Sequence, residues 1–213
     1  MASPLCTYYN YDCVDCPSEL QGRITAIALV DQCYKFADDA AIALTQTWVD
    51  LICNPGPPPD QPLAFIINEI TGTYDGGSPS EKTGYGAQQT YISTYDRSIT
   101  YKQKLTCENI DFYNYLRLNT SLKLWYVTGD PTNSSTDTET RLWETDSVVG
   151  VAVSAPIEDS LGSNLEFNVT LKWSNKLMPK CKKMPPYIFA SCKTLKEAVA
   201  CGNCTRPVCT LCP

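Results

Sequence analysis

Over residues 165–173 the chain alternates without a break. Leu165, Phe167, Val169, Leu171 and Trp173 fall on one side, and Glu166, Asn168, Thr170 and Lys172 on the other. Side chains of an extended strand point to opposite faces in turn, so this period of two predicts a strand with one dry and one wet face. The valine-rich run over 148–153 predicts a strand before it. Pro156 ends that strand because it has no N–H to donate, and Asp159, Ser160, Gly162 and Asn164 supply turn residues for the return. The unit is a long hairpin.

Upstream, residues 23–30 (RITAIALV) are apolar on both faces apart from Thr25, which predicts a central strand covered on both sides. Asp38 and Asp39 stand where a helix start needs a cap and negative charge, so a short helix is expected over 39–49, with 51–53 already extended. The proline-rich stretch 54–62 reads as a stiff connector, and 63–70 as a strand. Residues 71–89 (TGTYDGGSPSEKTGYGAQQ) read as a long glycine-rich loop, a kind that is usually functional or mobile. Its glycines lack the Lys-Ser/Thr pair of a phosphate cradle.

Residues 90–105 return to strand alternation, with Tyr91, Tyr95, Ile99, Tyr101 and Leu105 on one face. Arg97 and Gln103 fall among them, and a bulge is expected near Asp96 and Arg97. Asn109 is expected to cap a short helix, and 121–128 to form a strand paired with 141–144 or with the chain from 148 on. The acids Asp137, Glu139, Glu144 and Asp146 read as a solvated loop. The fold class is mainly β, a sandwich or barrel with one or two short helices. An N-terminal arm covers 1–21, the β domain 22–174, and a cysteine-rich C-terminal appendage 175–213.

Composition narrows the function. A net charge of −6 argues against a general nucleic-acid binder, which needs a basic footprint. No apolar run is long enough for a membrane span. The first residues lack a basic and an apolar signal region, so synthesis in a cytoplasm is expected. Histidine is absent, which excludes Ser-His-Asp and Cys-His catalysis; we expect no enzyme.

The 12 cysteines are the anomaly. Cys201/Cys204 and Cys209/Cys212 form two CxxC pairs, and Cys13/Cys16 a third. Such pairs hold tetrahedral zinc because the tight turn brings two thiolates to one ion. Disulfides formed after release from the host cell, within or between subunits, are the alternative. Zinc shared between Cys13/Cys16 and one C-terminal pair has the same chemistry. A redox CxxC enzyme is disfavoured, because neither C-terminal pair ends a strand before a clear helix. The Asn-x-Ser/Thr triplets read as chance in a Ser/Thr/Asn-rich chain.

The order of elements resembles the tail tube proteins of tailed bacteriophages. The closing hairpin over 148–173 carries the likeness best, together with the step from the helix after Asn109 into SLKLWYVTG. ELQGR before the first strand and TGTYDGGSPSEKTGYG look similar to structural proteins of phages infecting Bacteroidetes. The likeness covers residues 20–173, and the cysteine-rich ends depart from it.

The resemblance implies a virion structural protein on a sandwich or barrel of the tail tube type. Subunits close a ring, commonly a hexamer, and rings stack into the conduit for DNA ejection. The implied partners are further copies of the chain, tape-measure and tail-terminator or baseplate proteins, and genomic DNA that slides past an acidic lumen without specific contact. Assembly in the host cytoplasm and residence in the virion tail are implied too. Tyr74, Asp75, Gly76, Gly77 and Tyr85 are the expected inter-ring contact loop. The competing readings are a cysteine-rich extracellular binding or adhesion module, a tail-completion or baseplate protein on the same fold, and a small metal-dependent enzyme.

Overall fold

The computed structural model describes residues 23–53, 63–83, 90–104, 106–118, 121–129, 140–154, 166–182 and 186–201. Strand β1 (Ile24–Asp31) lies between β2 (Ala64–Ile67) and β5 (Leu122–Thr128). With β6 (Arg141–Val148) and β9 (Lys180–Cys181) they form a five-stranded sheet in the order β2-β1-β5-β6-β9. A second sheet has the order β3-β4-β8-β7, from β3 (Thr73–Thr83), β4 (Thr90–Lys104), β7 (Gly150–Ser154) and β8 (Glu166–Asn175). Every strand pairing is antiparallel.

The two faces of β1 feed two cores. Ile27 and Leu29 join Leu124, Tyr126, Ile99, Tyr101, Phe167, Val169, Leu171 and Trp173 between the sheets. Ala26, Ala28 and Val30 face the opposite way, against Trp48, Val49, Ile52, Phe189, Leu195 and Val199. The doubly apolar β1 is therefore central and covered on both sides, as its sequence predicts. The small residues on its outer face leave room for helices. Each large apolar side chain so buried contributes roughly 1.5–3 kcal/mol. In β8, Phe167 to Trp173 point inward at every second position, as the alternation predicts.

Helices α1 (Asp39–Ala43) and α2 (Thr45–Cys53) follow β1. The Asp38 carboxylate caps α1 by accepting from the Ala41 N–H at 2.7 Å, as its position suggests. The single helix expected over 39–49 is instead two, broken at Leu44, and 51–53 are helical rather than extended. Val49, Leu51 and Ile52 are buried in α2, so packing onto the sheet holds that last turn helical.

Helix α3 (Cys107–Leu118) joins the two sheets and puts Tyr113 and Leu116 into the inner core. Its cap is Thr106, whose hydroxyl accepts from the Asn109 N–H at 3.2 Å. Asn109, the expected cap, lies inside the helix and donates from Nδ2 to the Lys104 carbonyl at 2.8 Å.

The segment expected as an appendage packs on the sheet in its described part. β9 pairs with β6. A 3-10 turn (Tyr187–Phe189) and α4 (Cys192–Cys201) then close the outer core with Ile188, Phe189, Leu195 and Val199.

Candidate functional site

Of the glycine-rich stretch expected as a loop over 71–89, 84–89 lie outside the described residues and 73–83 are strand β3. It pairs with β4 from Thr73↔Thr100 to Thr83↔Thr90. β8 accompanies β4 only from Tyr95 to Lys104. The outer part of the hairpin, 80–83 against 90–94, thus runs past the end of β8 as a two-stranded arm. Among the described residues nothing but β3 pairs with that part of β4. Such a ribbon leaves backbone N–H and C=O groups open to pairing by another strand.

The predicted site residues fall along this hairpin. Tyr74 is no loop residue: its ring lies against Tyr126 at 5.9 Å and Trp173 at 6.1 Å. Asp75, Gly76 and Gly77 form a bulge, because Asp75 pairs with Ser98 and Ser78 with Asp96, leaving two residues opposite Arg97. The sequence placed an irregularity at Asp96 and Arg97, and the extra residue sits on the partner strand. Gly77 has φ +77 and donates its N–H to the Asp75 carboxylate at 2.9 Å. Tyr85 lies outside the described residues.

Opposite the bulge, Arg97 is buried, as its place on the apolar face implies. Its Nη1 donates to the carbonyls of Asn175 at 2.8 Å and Leu177 at 2.9 Å, fastening the chain after β8. None of the ion pairs among the described residues involves it. Burial pushes the Tyr74 hydroxyl above its ordinary pKa, and the neighbouring Arg97 guanidinium offsets part of that.

A second feature lies on the outer face of the five-stranded sheet. A cavity of about 290 Å³ opens between the chain around α1 and the β5–β6 ladder. Its floor is aromatic: Phe36 packs edge-on to Trp125 at 5.2 Å and to Tyr34 at 5.1 Å. Its walls carry a chain of ion pairs. Lys182 Nζ lies 2.9 Å from Asp39 Oδ1 and 3.5 Å from Glu144 Oε2. Lys123 Nζ lies 3.1 Å from Asp146 Oδ1, and Lys180 Nζ, outside the lining, 3.8 Å from Asp146 Oδ2; Lys35 and Asp38 also line the cavity.

Asp146 sits at φ +50, a left-handed backbone rarely adopted outside glycine. It belongs to a bulge in β6: Trp125 pairs with Glu144, yet Lys123 pairs with Val148. Thr145 Oγ1 donates to the Leu124 carbonyl at 2.8 Å, and Asn175 Nδ2 donates to Ser147 Oγ at 2.7 Å, so the bulge is held from two sides. The hydrogen bond from Lys123 keeps the Asp146 carboxyl below its usual range. Asp39, with help from Glu144, pushes the Lys182 ammonium above its usual range. Glu144 and Asp146, expected in a solvated loop, are strand residues in this network. It escapes sequence reading because its members come from four separate stretches; the only local signal is Lys123 and Trp125 sharing a face of β5.

Cys53, at the end of α2, and Cys192, at the start of α4, are each held in a disulfide. Cys33, Cys107 and Cys181 are free and exposed. Cys201 ends α4, and Cys204, Cys209 and Cys212, like Cys13 and Cys16, lie outside the described residues. Among the described residues no three His, Cys, Asp or Glu side chains gather as a metal site, and no helix is long and apolar enough to cross a membrane. No family model, curated protein or solved structure matches the chain.

Proposed function

We propose that this chain is a virion structural protein, a tail tube subunit whose rings stack into a conduit for DNA ejection. The observation that carries the reading is the β3–β4 hairpin, which outruns β8 and offers a two-stranded arm to a neighbouring copy. Two antiparallel sheets with β2, β9, β3 and β7 at their edges supply further pairing surfaces. Closing a ring edge to edge would satisfy edges that otherwise invite aggregation. The net charge of −6 suits a conduit, because like charge lets DNA slide rather than stick.

Disulfides at Cys53 and Cys192 favour a second reading, a cysteine-stabilised binding module of an oxidising compartment. Negative-stain electron microscopy of the purified protein, with and without reductant, separates the two. Rings or hollow tubes of uniform bore are expected, and their loss in reductant would assign crosslinking to the cysteines. A stable monomer at high concentration in both conditions rejects the tube subunit and favours the binding module.

A further inference from the structure

We propose that the cavity between α1 and the β5–β6 ladder binds a neutral polyhydroxylated ring, a saccharide unit either free or at the end of a glycan. The inference stands apart from the tube reading. The cavity, about 290 Å³, sits at the lower end of ligand sites, roughly 300 Å³ and above. That admits a small ring-sized ligand.

The wall chemistry favours a neutral ligand. Lys182 is shared by Asp39 and Glu144, and Asp146 pairs with Lys123 and with Lys180 outside the lining. With Lys35 and Asp38 the lining carries lysines and acids in near balance, so neither sign of ion is favoured, and at the paired centres an ion would have to displace a partner. A polyol need not: each carboxylate keeps spare lone pairs and each ammonium spare protons, so the wall offers donors and acceptors side by side. Vicinal hydroxyls can each donate to the one and accept from the other. The floor selects a ring with an apolar face. Trp125, Phe36 and Tyr34 line it, and C–H groups pack on aromatic rings while the hydroxyls turn to the charged rim.

The site is also built in advance. Phe36 is held against Trp48 at 5.0 Å as well as against Trp125. The left-handed Asp146 is kept in place by Thr145, Ser147 and Asn175. Backbone held in a sparsely populated conformation gathers where a side chain must be aimed, and here it aims a carboxylate at the cavity.

The test is a titration of the ¹⁵N-labelled full chain with the methyl pyranosides of glucose, galactose and mannose. Inorganic phosphate and glycine betaine serve as ionic probes. Saturable shifts at millimolar sugar are expected at the Trp125 indole and the Lys182 amide with at least one pyranoside, and none with the ionic probes. A short glycan ending in the active sugar distinguishes the source: tighter binding than the methyl glycoside assigns a glycan end, equal binding a single free ring. Asp146→Asn and Lys123→Gln should each weaken binding about tenfold. Tyr34→Ser, at the half-exposed rim, should do the same without touching the bulge. No saturable shift with any pyranoside, or an equal response to phosphate, overturns the proposal. Rings in the microscope without sugar binding would sink it and leave the tube reading intact.

Discussion

Tyr101 and Tyr113 join hydroxyls at 2.8 Å in the core between the sheets, and neither has more than 2% of its surface exposed. Burial raises the pKa of both; the hydrogen bond between them raises Tyr101 further and offsets part of the rise at Tyr113. Burial raises Tyr126 as well. The ordinary value is 10.0. Below it these phenols are protonated in both folded and unfolded chain, and their contribution to stability is complete. Above it the unfolded chain releases protons that the folded chain retains, so stability falls as pH rises toward the folded values. Each such tyrosine costs about 1.4 kcal/mol per pH unit in that window. In an alkaline titration the exposed tyrosines should ionise first. The buried set should ionise only together with the loss of far-UV ellipticity. Tyrosinate forming at all positions in a still-folded chain would contradict their burial.

Among the elements, β3 shows where sequence patterning stops. The apolar alternation of β8 and the two apolar faces of β1 were legible because burial is written into them. β3 carries glycine, serine and proline and lies at a sheet edge, so its strand form comes from the ladder with β4. The outer core from 186 on was hidden by its basic, proline-interrupted surroundings, although Leu195 and Val199 stand four apart on one helix face. The bulge in β3 gives an element-level test with an internal control. A Cβ at Gly77 would lie 1.7 Å from the Asp96 carbonyl oxygen, on a backbone at φ +77. At Gly76 it would meet nothing nearer than Tyr74 Cε1 at 3.8 Å. Urea unfolding should show Gly77→Ala destabilised by more than about 2 kcal/mol. Gly76→Ala should stay within about 0.5 kcal/mol of the parent, the range of an unconstrained surface change. Equal effects at the two positions would mean the bulge does not sit at Gly77.

At the scale of the whole molecule, the arm separates folding from assembly. The β4–β8 ladder starts at Tyr95, and the inner core draws on Ile99 and Tyr101; of 81–93, the described side chains Glu81, Lys82 and Ser93 take no part in it. An isolated two-stranded ribbon is marginally stable in water at best, so the arm beyond β8 contributes little to the fold that carries it. Ser80 and Thr94 are register partners. Replacing residues 81–93 with Asn-Gly, a two-residue turn that matches strand twist, should therefore close the hairpin and leave the core in place. Thermal unfolding and near-UV circular dichroism of the shortened chain should match the parent. If the arm is the contact between copies, sedimentation and negative-stain images should show particles for the parent and monomer for the shortened chain. A shortened chain that still forms tubes would move the contact to the edges at β2, β9 and β7. A shortened chain that no longer folds would show that the arm is held by more than its own ladder. An arm that is dispensable for folding and necessary for assembly is what the proposed tube subunit requires, because its backbone pairing is then left for the neighbouring copy.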